Sequence, residues 1–171
     1  QLSILVNDLS DIMLDKIKVL ADQYKKINIV TNHIEKFKRI EEKLLNENGV
    51  IITVTNNKRK SLIKSKIILN VDFPNELINK YRICEDAIIV NIKHEVKIKN
   101  KRFNGICVND YEIEFSENED IEYDYNKLDK YKNSHIYEAQ IYKKQPINNI
   151  LIKINRDKVK ITKLIANNIT F

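Results

Sequence analysis

Between Ile27 and Ile92 four short, mainly apolar and β-branched runs alternate with amphipathic or basic ones: Ile27–Val30, Val50–Val54, Ile67–Leu69 and Ala87–Val90. A strand with one wet face alternates apolar and polar residues, whereas an unbroken apolar run needs cover on both faces. The runs are too short for helices and rich in Ile and Val, which suit a pleated, buried surface. Parallel neighbours need a crossover of about a dozen residues, and most of the gaps allow one. The run Ile34–Leu45 sets Ile34, Phe37, Ile40 and Leu44 on one helical face. Gly49 follows, where a helix end favours a residue tolerating positive φ. Pro74 suits the first turn of a helix that buries Leu77, Ile78 and Tyr81. The fold class expected is therefore α/β: an open parallel sheet with helices on both faces.

Outside that stretch, Leu2–Val6 reads as a first strand, and Asn7 to Asp11 as a turn. Ser10 or Asp8 can cap a helix reaching about Tyr24, with Met13, Ile17, Leu20 and Tyr24 on one face. Right-handed winding of these units gives a Rossmann-like layered sheet over residues 1–92. Residues 93–133 read as an appended β-hairpin and acidic loop: His94–Lys101 and Ile106–Phe115 alternate, and Asn100 to Gly105 is a turn. Residues 134–171 read as a C-terminal helical segment packing back on the sheet. Ser134 can cap a helix from His135 to Lys144, and Pro146 can start a second carrying Ile147, Ile150, Leu151 and Ile154. Val159 to Ile165 stays open between strand and helix. Together these form one compact domain, which 171 residues can supply with an ample core.

Charge is unevenly spread. The chain carries a formal +6, yet Asp110 to Asp124 holds eight acids and no Lys or Arg, leaving +14 on the rest. A basic surface attracts polyanions, but Ile, Lys and Asn are abundant everywhere, so basicity alone is a weak cue and a nucleic-acid partner is not expected. No run approaches the roughly 20 apolar residues of a membrane span, so no membrane role is expected. Cys84 and Cys107 give no metal template, and read as small buried side chains in a reducing cytoplasm. The chain opens on Gln1 rather than Met, which points to an upstream domain or a protein partner.

No H-E-x-x-H, G-x-S-x-G or Walker loop is present. The three histidines, His33, His94 and His135, are dispersed, and no metal site is expected. A dinucleotide-binding fold writes G-x-G-x-x-G after its first strand; here those positions are Asn7, Leu9 and Ile12. Asp8 and Asp11 place carboxylates at the helix N-terminus, where they satisfy the dipole and repel a pyrophosphate. Five predicted strands end in Asn: Asn7, Asn32, Asn56, Asn70 and Asn91. Such an amide ring lies where α/β sheets bind ligands, although Asn is equally a standard turn residue. Lys58, Arg59, Lys60, Lys64 and Lys66 cluster around a short helix and could hold a phosphate or face solvent.

The stretch I-V-T-N-H-I-E-K-F-K-R-I-E-E-K-L, Ile29 to Leu44, resembles the second strand and helix of NADP-binding domains of the shikimate dehydrogenase and glutamyl-tRNA reductase type. Asn32 falls at the Asn of that family's Asn-Arg-Thr-like turn and His33 at its Arg. Lys64 to Pro74, K-S-K-I-I-L-N-V-D-F-P, resembles the strand ending in Asn-Ala-Thr-Pro: Asn70 matches, Val71 and Asp72 do not. The resemblance covers Leu2 to Ile92. It implies a Rossmann-type domain that takes NADP or NAD, with His33 in the adenosine-phosphate pocket. The candidate cofactor residues are Asn7, Asp8, Asn32, His33, Asn56 and Asn70. The family's catalytic residues belong to another domain, and none has a match here.

Three functions follow as expectations. The first is a Rossmann-like domain with weakened or lost dinucleotide binding, serving a structural or ligand-sensing role. The second is an active NADP-dependent oxidoreductase domain whose catalytic domain lies upstream. The third is a polyanion- or nucleic-acid-binding module.

Overall fold

The computed structural model describes residues 1–8, 10–24, 26–115, 134, 137–138, 159–167 and 169–170. The chain divides into two compact units, Gln1–Asn109 and Asp110–Phe171.

In the first unit strands and helices alternate as far as β5, and β6 follows without a helix: β1 (Leu2–Leu5), α1 (Asp11–Gln23), β2 (Ile27–Val30), α2 (Ile34–Asn48), β3 (Ile52–Thr55), α3 (Lys58–Lys64), β4 (Ile67–Asn70), α4 (Asn75–Ile78), β5 (Ile88–Asn91) and β6 (Ile106–Phe115). Ile106 to Asn109 of β6 belong to this unit. Strand order is β3-β2-β1-β4-β5-β6, and each of these neighbouring pairs is parallel. This is the doubly wound, Rossmann-like α/β arrangement expected from the apolar runs.

The two faces of the sheet bury separate cores. Ile4, Ile27, Ile29 and Ile52 pack against Ile17 and Ala21 of α1 and Phe37 and Leu44 of α2. The alternate residues Leu5, Val30, Ile68, Ile89 and Cys107 point the other way, onto Leu62 of α3, Ile78 of α4, Phe73, Ile83 and Val96. Period-two alternation of buried residues therefore places α1 and α2 on one face, and α3, α4 and the β5–β6 connection on the other.

Local signals explain the boundaries. Ser10 Oγ accepts from Met13 N at 3.3 Å and caps α1. Gly49 closes α2 in the left-handed region, φ 65°. Asn57 Oδ1 accepts from Lys60 N at 3.0 Å and starts α3. Pro74 stands just before α4, which is a single turn.

Residues 94–100 do not form the first strand of a hairpin with Ile106–Phe115. β6 instead continues the parallel sheet beside β5, with Ile88 opposite Ile106 and Ile89 opposite Cys107. Val96 and Ile98 do turn inward, as their alternation implies. Side-chain amides take the place of a partner strand: Lys97 N donates to Asn75 Oδ1 at 2.9 Å and Lys99 N to Asn79 Oδ1 at 2.8 Å. Val96 N donates to Asn109 Oδ1 at 2.9 Å. The turn at Asn100–Gly105 is present, with Phe103 N donating to Asn100 O at 3.0 Å.

In the second unit β7 (Val159–Ala166) and β8 (Ile169–Thr170) pair antiparallel, so the open stretch at Val159–Ile165 is a strand. This hairpin lies in the segment expected to be helical, not at residues 93–133 where the alternation placed one. Asn167 turns it at φ 52°, a conformation Asn tolerates. Lys163 Nζ lies 3.3 Å from a carboxylate oxygen of Glu112, and Thr162 Oγ1 donates to Glu112 O at 3.4 Å. The Tyr111 hydroxyl bonds Glu138. Ser134, Tyr137 and Glu138 are helical. The acidic loop beyond Phe115, the rest of the helix placed at His135–Lys144 and the helix after Pro146 lie outside the described residues.

Candidate functional site

The strand order reverses direction between β1 and β4, and there the carboxyl edge of an open α/β sheet splays into a ligand crevice. The loops after these two strands meet across it. Val71 N donates to Leu5 O at 2.9 Å, which sets Asp72 opposite the start of the β1–α1 turn. The Asp72 carboxylate then accepts from Asn7 N at 2.9 and 3.0 Å and from Asp8 N at 2.8 Å. The backbone donors of the loop that would meet a phosphate therefore already carry an anionic side chain.

The rest of the turn is equally self-satisfied. Asn7 Oδ1 accepts from Asn32 N at 2.8 Å and Thr31 Oγ1 at 3.2 Å, tying the ends of β1 and β2 together. Asp8 Oδ1 accepts from Ser10 N at 2.8 Å. Asp8, Asp11 and Asp72 place three carboxylates around one turn.

The remaining candidates separate into two groups. Asn70 is buried: its amide nitrogen donates to Phe73 O and Asn91 Oδ1, each at 2.9 Å, and its oxygen accepts from Phe73 N at 2.9 Å. Asn91, also buried, donates onward to Asn109 Oδ1 at 3.0 Å, and Asn109 donates to Val96 O at 2.9 Å. These three residues form a directional amide ladder across β4, β5 and β6, so the expected ring of ligand-facing amides does not exist at Asn70 and Asn91. Asn32, His33 and Asn56 are exposed. The His33 amide donates to Thr31 Oγ1 at 3.1 Å, but its side chain makes no capping bond to α2. The Asn56 carbonyl accepts from Lys58 N at 2.9 Å. Thus Asn7, Asp8 and the Asn32 backbone are brought together, while His33 and Asn56 stay at the periphery.

Sequence reasoning missed Asp72, which figured only as a departure from the Asn-Ala-Thr-Pro pattern. The available signal was its position: an acid two residues past β4, at the strand beside β1, faces the backbone amides of the β1–α1 turn. Asn109 was missed because its alternation on β6 was assigned to a hairpin.

Other features are remote or small. A groove of about 190 Å³ runs between Leu14 and Lys18 of α1 and Ile40 and Leu44 of α2, below the roughly 300 Å³ at which small-molecule sites begin. At the opposite edge of the sheet the Lys66 ammonium pairs with Asp86, whose carboxyl this bond holds below its ordinary range, helped by the Cys84 thiol. Neither Cys84 nor Cys107 is in a disulfide. Among the described residues no group of three or more His, Cys, Asp or Glu could hold a metal, and no helix is long and apolar enough to cross a membrane.

The chain matches no protein-family model, no curated protein and no solved structure.

Proposed function

We propose that this is a Rossmann-like domain related to NAD(P)-binding domains in which the dinucleotide site is filled from within, leaving a structural or ligand-sensing role beside an upstream domain or protein partner. One observation carries the reading: the Asp72 carboxylate takes the Asn7 and Asp8 amides that a pyrophosphate would need. Two further features support it. The glycine positions at Asn7 and Ile12 carry side chains, and Asp8 and Asp11 add negative charge beside the turn.

A calorimetric titration with NADPH and NADH at low salt tests this. The expected result is no heat of binding and no thermal stabilisation. Micromolar NADPH binding that His33→Ala abolishes would replace the proposal with the active NADP-dependent oxidoreductase. That reading draws on the exposed position of His33 at the end of β2.

A further inference from the structure

The two faces of the sheet differ sharply in charge. On one side, α1 and α2 carry six cations and seven carboxylates. On the other, α3, α4 and the connection from Ile92 to Gly105 carry nine cations and two carboxylates, Glu76 and Glu95. Arg59, Lys60 and Lys64 on α3 are exposed, as are Lys93, Lys97, Lys99, Lys101 and Arg102. None of these eight has an ion-pair partner among the described residues, whereas Lys66 and Arg82 nearby are paired with Asp86 and Glu85.

The fold holds both basic ridges rigidly. α3 is fastened to the sheet by a buried polar network: Asn28 Nδ2 donates to Ser61 Oγ at 3.0 Å and to Ser3 Oγ at 3.1 Å, and the Ser3 and Ser65 hydroxyls share a hydrogen bond of 2.6 Å. The second ridge is held by Asn75, Asn79 and Asn109, which bind its backbone and leave Lys97 and Lys99 pointing outward. α3 sits over β1 and β2, and the other ridge joins β5 to β6, three strand positions away from centre to centre. At about 4.8 Å per strand the ridges are roughly 14 Å apart.

We propose that this face binds the phosphate backbone of duplex nucleic acid without reading sequence. Fixed, unpaired cations release counterions on meeting phosphates, which is the main source of sequence-independent affinity. The separation of the ridges lets each meet a different strand flanking a groove about 12 Å wide. Stacking on single-stranded bases needs exposed aromatic rings. The exposed aromatic among the described residues is Tyr24, at the end of α1 on the other face. None of the eight cations is among the residues that meet in the β1–β4 crevice, Asn7, Asp8 and Asp72.

The test is binding of a fluorescein-labelled duplex DNA by fluorescence anisotropy over a salt series. Three paired charge reversals are compared: Arg59→Glu with Lys60→Glu, Lys97→Glu with Lys99→Glu, and, on the opposite face, Lys36→Glu with Lys43→Glu. All six residues are exposed, and each pair changes net charge equally. The expected result is binding whose logarithm falls linearly with log salt, with each of the first two reversals reducing the slope by about 2 and the third leaving it unchanged. No binding at low salt, salt-insensitive binding, or equal weakening by all three pairs would overturn the proposal. So would preferential binding of polyglutamate over the duplex, which would assign the face to an acidic protein.

Discussion

Asp72 is the residue on which the account turns. Its two carboxylate oxygens meet Asn7 N and Asp8 N at 2.8 to 3.0 Å, and no neutral side chain could offer both amides the same charge-assisted acceptance. Asp72→Asn keeps one acceptor oxygen and loses the charge, so urea denaturation should show a loss of about 1–3 kcal/mol; an unchanged midpoint would mean the latch contributes nothing to the fold. Cys107 supplies a pH signature. Burial, opposed by a bond from the Asn91 amide, pushes its thiol above its ordinary value of 9.0. A raised pKa in the folded state gives a contribution that is full below the unfolded value and is lost as pH rises through the folded one. Stability should therefore decline above about pH 9, and Cys107→Ala should flatten that decline in urea midpoints measured on both sides of it. A decline equally steep in the variant would assign it to other groups.

At the scale of elements, the two glycines mark two different constraints. Gly49 ends α2 at φ 65° with open space around it, so Gly49→Ala costs only the left-handed conformation, about 1 kcal/mol in thermal denaturation. Gly105 enters β6, where an added Cβ would lie 2.0 Å from the Ala87 carbonyl oxygen. Gly105→Ala must push β6 away from β5 and should destabilise far more than Gly49→Ala; equal losses would contradict this packing. The amide ladder makes a similar demand. Asn91→Leu strips partners from the buried Asn70 amide and from Asn109, an expected loss of about 2–3 kcal/mol by urea denaturation. Much of this architecture was legible in the sequence. The Ile-rich runs at Ile27–Val30 and Ile67–Leu69 report strands covered on both faces, although Ile67 at the amino end of β4 is exposed, and Ser10 and Gly49 report helix ends through local chemistry. What was not legible depends on contacts between distant segments. The alternation of Val96 and Ile98 is the same whether a strand or the side chains of Asn75 and Asn79 supply the partners. Asn70 and Asn91 look alike as turn residues or ligand donors until the parallel register puts them side by side. Asp72 differs from an ordinary loop acid only through Asn7, 65 residues earlier in the chain.

For the first unit as a whole, the sheet separates two chemistries. Its carboxyl edge, where this fold class holds ligands, is closed by its own carboxylate and by amides spent on each other. Its α3 face carries exposed cations that have no ion-pair partner among the described residues. The absence of glycine after β1 raised the expectation of a weakened phosphate site but did not point to Asp72; the basic face needed the topology that gathers α3 and residues 93–102 on one side. The central claim, that Asp72 occupies the place of a phosphate, is tested most directly by the amide resonances of Asn7 and Asp8 in a nitrogen–proton correlation spectrum. They should shift on Asp72→Asn and stay unmoved when NADPH is added to the unaltered domain. Saturable movement of these two resonances at micromolar NADPH would show that the dinucleotide displaces the carboxylate, and would contradict the account.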